Sequence, residues 1–308
     1  MRCFCQEPSF FIEKRGALGS SLHRTKALKQ YYNELTELGT SGLYEVLDQG
    51  RVWAERLANN LADGGGVIFP HTYVSKCGYQ IAAVIHGILD SGANQVILLG
   101  TAHGFPGELL KARIKELNED DIVHEASWGI LDPASAKSYL LQKEFSLDLF
   151  KALWKVEVER RGVTPPKLFE RYPCLTNRQP DKLPGINELQ ELAKNSVIVG
   201  TDDYCHHGIA YGVEKDAALP MNKQGIIFAK TQIELGFLLL KQSDYRAYFD
   251  HWMNLRAIGD PSDVTVVMHY LIGQEASPQI LDLKLVDVAP LFEGNPTPSW
   301  VAATLAIM

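Results

Sequence analysis

Apolar residues recur every three or four positions over 24–39 and 42–61. In the second stretch Leu43, Val46, Leu47, Val52, Trp53, Leu57 and Leu61 form one broad stripe, the spacing of an amphipathic helix. A glycine triplet, Gly64-Gly65-Gly66, then leads into the short apolar run Val67-Ile68-Phe69. Gly78 to Ser91 is apolar enough for a buried helix, and Gln95 to Gly100 (QVILLG) has the continuous apolar character of a fully buried strand. Strand, helix and strand in that order make a parallel crossover unit. Further helices are predicted over 133–142, 146–161, 185–194, 224–242, 244–257 and 263–273, and further strands over 196–200, 279–288 and 299–307. The stretch 163–185 carries five prolines and reads as a long loop. The alternation predicts an α/β fold with a mainly parallel central sheet flanked by helices. It forms a single domain over 65–308, with 1–64 as a helical extension packed on it.

Three polar clusters follow the three best strands. Pro70-His71 follows Phe69, Thr101-Ala102-His103-Gly104 follows Gly100, and Thr201-Asp202-Asp203-Tyr204-Cys205-His206-His207-Gly208 follows Gly200. Open α/β sheets bind ligands at the carboxyl ends of their parallel strands, so four of the nine histidines fall where a site belongs. A single histidine after a strand is more often structural than ligating. Several at equivalent strand ends point to a metal, because neutral imidazoles suit iron, zinc and copper.

Other motifs read as structure. The glycine triplet precedes its strand, whereas a phosphate loop follows one, so it is a turn. His124-Glu125 lacks the second histidine of a zinc-protease helix, since Trp128 stands there. His86 and His269 lie in apolar helical runs. Tyr204, Trp128 and Phe105 are aromatic neighbours of the clusters and read as ordinary packing.

Composition narrows the function classes. The chain has 308 residues, 46% of them hydrophobic, and a formal net charge of -7. That supports a sizeable core and excludes a general nucleic-acid binder, which needs clustered Lys and Arg. No apolar run reaches the roughly 18 residues of a membrane span. Five scattered cysteines, Cys3, Cys5, Cys77, Cys174 and Cys205, are not a secreted disulfide framework, and a reduced, cytoplasmic protein is expected.

The same segments resemble the Memo family. FPHTYVSKCGYQIAAVIHGI is similar to that family's PHAGYxYSG segment and the helix after it. VILLGTAHG is similar to its strand ending in GPSHH, and VIVGTDDYCHHGIAYG to its SSDFCHWG segment. EFSLD (residues 144–148) is similar to an EHSIE segment, and SWVAATLAIM to the closing strand. The resemblance spans about residues 65–307. Memo proteins share their fold with class III extradiol dioxygenases, which cleave catechol-type rings using Fe(II). The resemblance therefore implies a class III extradiol dioxygenase-like fold, with His71 and His103 facing a metal and Asp203 and His206 lining the same pocket. The family's third metal-facing residue is a cysteine. Here the comparable stretch is Ala257-Ile258-Gly259-Asp260-Pro261, so Asp260 is expected to take its place, with Glu144 and Asp203 as the alternatives. Phe145 stands where the family has histidine, and His207 where it has tryptophan.

The expected function is that of a mononuclear non-haem Fe(II) oxygenase taking O2 and a small organic, aromatic-type substrate. His71, His103 and Asp260 would hold the metal. His206 would move protons from the start of a helix, His207 would stand about 100° round that helix as a pocket wall, and Asp203 would orient the proton carrier. Zinc or copper in the same site, a metal-assisted hydrolase, and a non-catalytic metal-binding or interaction protein are the competing readings.

Overall fold

The computed structural model describes residues 21–103, 112, 129–135, 141, 144–176, 179–254, 260, 263–273 and 275–308. In order, the helices are α1 (Ser21–Gly50), α2 (Ala54–Ala62), α3 (Val74–Asp90), α4 (Asp148–Arg161), α5 (Ile186–Ala193), α6 (Lys223–Lys241), α7 (Tyr245–Asn254) and α8 (Asp263–Ile272). The strands are β1 (Gly66–Phe69), β2 (Gln95–Leu99), β3 (Ile130–Leu131), β4 (Lys167–Pro173), β5 (Val197–Thr201), β6 (His206–Gly208), β7 (Gln279–Asp287) and β8 (Ser299–Ile307).

Among the described residues eight strands form one sheet in the order β3-β4-β2-β5-β1-β8-β6, with β7 paired to β8. Its centre, β4-β2-β5-β1, is parallel throughout, and β3, β6, β7 and β8 pair antiparallel. The fold is thus α/β with a mixed sheet that is parallel in its core. The central strands are apolar on both faces because both are covered. Val67, Phe69, Val96, Leu98 and Val199 face a core shared with α1, α3 and α4. Ile68, Ile97, Leu99 and Ile198 face a second core, against α5, α6, α7 and α8.

The register decides where the site lies. Phe69 pairs with Thr201 and Leu99 with Gly200, so β1, β5 and β2 end level with one another, side by side. The three polar clusters therefore leave the sheet from one edge.

α1 and α2 lie on α3. Leu47 and Leu57 are fully buried there, and the His86 ring in α3 bonds the Leu47 carbonyl at 2.7 Å through Nε2. Gly50 lets the two helices meet, since a Cβ there would sit 2.5 Å from the Ala83 nitrogen. α1 breaks at Gly39, where φ is 55°.

Several expectations are corrected. Residues 163–185 are not all loop, because 167–173 form β4, paired in parallel with β2. Its run mixes Leu168, Phe169 and Tyr172 with Lys167, Glu170 and Arg171, and Glu170 pairs with Lys151, so the strand lacks the continuous apolar signature of β1, β2 and β5. No helix starts at residue 206. Residues 206–208 form β6, paired to β8 as His206 with Val301 and His207 with Trp300. In the stretch expected as helix over 133–142, residues 133–135 are turn and bend, while 136–140 and 142 lie outside the described residues. The end of the 244–257 helix, 255–257, also lies outside them.

β6 ends at Gly208, with φ 114°, where a Cβ would meet the Pro298 carbonyl oxygen at 2.1 Å. Both the backbone conformation and the contact require glycine. Gly208→Ala is expected to lower stability by about 2–4 kcal/mol, checked by chemical denaturation.

Candidate metal centre

Each functional side chain is set by a strand end. His71 follows β1 by two residues, and its Nδ1 lies 2.9 Å from Thr201 Oγ1 at the end of β5. The Thr201 hydroxyl already donates its single proton to the Phe69 carbonyl at 2.9 Å. Oγ1 therefore accepts from His71 Nδ1–H, and the Nε2 of the neutral ring carries a lone pair. His103 follows β2. Its Nδ1 lies 3.0 Å from Glu144 Oε1, an acceptor, so its Nε2 is the second lone-pair nitrogen. The two Nε2 atoms stand 3.0 Å apart. Two lone pairs so placed repel unless a cation lies with them, either a proton or a metal ion.

Asp260 supplies the anion. Its Oδ2 is 3.3 Å from His71 Nε2, and its Oδ1 is 3.7 Å from His103 Nε2. The carboxylate is 5% exposed and tied to the β5 cluster, since Asp203 N–H donates to Oδ2 at 2.9 Å and Asp260 N–H donates to the Asp203 carbonyl at 3.0 Å. One ligand atom from each of His71, His103 and Asp260 falls within 4.8 Å of the others. A second trio, Asp203, His206 and Asp260, meets the same limit and shares Asp260.

The electrostatics agree with a cation-seeking site. Burial pushes His71 down to about 4, against the pull of Asp260. Burial also opposes the charge on His103, yet Glu144 beside it, helped by Asp260 and Asp203, holds it up at about 9. A single proton on His103 Nε2, directed at His71 Nε2, satisfies both directions. Glu144 is depressed to about 2 despite burial, by the His103 charge and by bonds from the His103 and Ser146 amides. Asp260 is likewise lowered against burial, by His71, His103 and His206. Asp203 moves the other way, raised by burial and then by the Asp260 charge. The two neighbouring carboxyl groups are thus pushed in opposite directions.

Of the residues expected from sequence, His71, His103, Asp260, Asp203 and His206 come together. Asp203 Oδ2 lies 3.6 Å from His71 Nε2 and its Oδ1 accepts from the His71 amide at 3.4 Å, so it braces the first ligand as well as flanking His206. His206 Nε2 is 4.0 Å from Asp260 Oδ1, and its ring stacks on Tyr211 at 4.9 Å. Alternate residues of a strand face opposite sides, so His207 points away from this cluster. Its Nε2 accepts from Leu219 N–H at 2.9 Å, and its ring packs on Phe228 and Trp300. Tyr204 is also away from the cluster, buried against Phe237 and Trp252. Phe105 and Trp128 lie outside the described residues.

Glu144, an alternative third ligand by sequence, has both oxygens engaged. Oε1 accepts from Phe145 and Ser146 amides and from His103 Nδ1, and Oε2 accepts from the His103 amide at 2.6 Å. It orients the His103 ring. Thr201 does the same for His71, and its place at the very end of β5, level with Phe69, is the sequence signal that marks it. Phe145 backs His103, ring on ring at 4.7 Å. Glu144→Gln is expected to weaken metal binding about 10–100-fold, measured by chelator competition, because the amide can present its NH2 to Nδ1 and favour the wrong tautomer.

Two imidazole nitrogens and one carboxylate, each with its lone pairs turned inward, fit the donor set of non-haem Fe(II) oxygenases. No protein-family model matches the chain, and a search of curated proteins finds no match. No helix among the described residues is long and apolar enough to cross a membrane.

Proposed function

We propose that the protein is a mononuclear non-haem Fe(II) oxygenase of the Memo and class III extradiol dioxygenase type, acting with O2 on a small aromatic substrate. The observation that carries this is the pair of Nε2 atoms 3.0 Å apart, facing the Asp260 carboxylate, with both Nδ1 atoms engaged on the far side by Thr201 and Glu144. His71, His103 and Asp260 would hold the ion. Bound Fe(II) would supply one-electron chemistry toward O2 and coordination positions for a substrate oxygen.

The chain's own groups provide the rest. Thr201 and Glu144 fix the two imidazole tautomers. Phe145 and Tyr211 back His103 and His206, giving flat walls on two sides of the centre. His206 is the proton carrier. It sits at the rim, 16% exposed in its side chain, with Nε2 turned toward Asp260, so it can take a proton from a bound hydroxyl and pass it to solvent. Asp203, 3.6 Å from His71 Nε2, is pushed up by burial and by the Asp260 charge, which favours a proton there over a second negative charge.

The test has two stages. Metal analysis of the purified chain, then reconstitution with Fe(II), Zn(II) and Cu(II), should give one Fe(II) per chain. Oxygen consumption with a panel of catechols should then depend on Fe(II). Tight Zn(II) with ester or amide hydrolysis and no O2 uptake would replace this reading with the metal-assisted hydrolase. A bound metal with no turnover of either kind would favour the binding protein.

A further inference from the structure

α1 lies outside the segment that resembles the Memo family, yet it reaches the site. Tyr31 is 7% exposed, and its ring meets Tyr73 edge to face at 5.5 Å and Phe145 at 5.9 Å. Tyr73 closes the short turn that carries His71 into α3. Phe145 stacks on His103 at 4.7 Å and meets the His71 ring at 6.4 Å. One ring from α1 thus touches both histidine supports, which belong to segments far apart in sequence.

Glu34, one helical turn further along the same face of α1, holds the other end of that turn. It accepts from the Val74 amide at 2.8 Å and from the Ser75 hydroxyl. α3 has no cap of its own at Tyr73, so α1 supplies one. Between Tyr31 and Glu34, residues 72–75 are gripped from both ends, and His71 precedes them directly.

We propose that Tyr31 is a positioning residue of the metal centre, its ring wedged between Tyr73 and Phe145 so that His71 and His103 keep their mutual angle. The proposal rests on the metal-centre reading above. Both aromatic contacts are made by the ring, while the hydroxyl faces the Thr72 side chain, next to His71. Losing two such contacts corresponds to about tenfold in an equilibrium constant, and ligand atoms displaced by a fraction of an ångström bind metal poorly.

Co(II) is the probe, added to the full chain, with affinity and the visible absorption band as readouts. Tyr31→Ala should weaken Co(II) binding about tenfold and alter the band, and Tyr31→Phe, which keeps both ring contacts, should restore most of the affinity and the band. Leu47→Ala is the control, since Leu47 is fully buried on the same helix beyond the Gly39 break. It should lower the denaturation midpoint and leave Co(II) affinity and band unchanged. If Tyr31→Ala does not fold, Tyr31→Leu keeps the bulk without the ring and should give the same loss. Unchanged Co(II) binding in the alanine or leucine variant overturns the proposal, as does an equal change in Leu47→Ala. If the unaltered chain binds no Co(II), the metal-centre reading itself falls, and that result is told apart from failure of the Tyr31 proposal alone.

Discussion

His71→Ala and His103→Ala are each expected to lose nearly all bound metal while the chain stays folded. Neither ring is a pillar of the core. His71 is buried, but past the end of β1 and among polar groups rather than in either apolar core, and the His103 side chain is 20% exposed. Their removal takes away one of two nitrogens aimed at one point, leaving a single imidazole and Asp260, a pair that holds a divalent ion weakly. Removal also relieves the close approach of the two Nε2 atoms, so the stability cost is expected to stay within about 1–2 kcal/mol. Metal per chain after desalting and the denaturation midpoint are the two measurements. Unchanged metal content in both variants would remove the centre from this place in the fold.

The second large effect separates two neighbours. His206→Ala is expected to lower Fe(II)-dependent turnover by a factor of about 10² to 10⁴, with metal content preserved, because a positioned acid or base is lost. His207→Ala should leave turnover within a few-fold. It should instead cost about 1–3 kcal/mol of stability, because the Leu219 amide loses its acceptor and a cavity opens between Phe228 and Trp300. Turnover on whichever catechol supports O2 uptake, together with the unfolding midpoint, separates the two roles. Turnover abolished in His207→Ala and normal in His206→Ala would reverse the assignment.

The pattern of the sequence yields the central strands because they are buried on both faces, so VIF, QVILL and VIVG are unbroken apolar runs. It does not yield β4, which borders the parallel block with Glu170 and Arg171 in its run and two prolines before it. It does not yield β6 either, whose three residues are two histidines and a glycine held in extended form by β8. His71 and His103 are legible because strand ends are legible. Asp260 is reached only through the resemblance, since no periodicity marks its loop. The role of Glu144 depends on a contact across 41 residues, and that of Tyr31 on a helix whose sequence carries no motif. Such contacts follow from how the layers stack, which a one-dimensional pattern does not encode.

The strand form of residues 206–208 has an evolutionary consequence. Sliding a strand by one residue normally turns every inward side chain outward. Here a deletion of one residue between Thr201 and Cys205, with β8 unmoved, would draw His207 to the rim position opposite Val301 and carry His206 out of it. An imidazole would still face Asp260. The same slide would bring Ile209 to the place of Gly208, where φ is 114° and a Cβ meets the Pro298 carbonyl oxygen at 2.1 Å, so it is the glycine after the tandem histidines that fixes the length of this loop and keeps His206 opposite Val301.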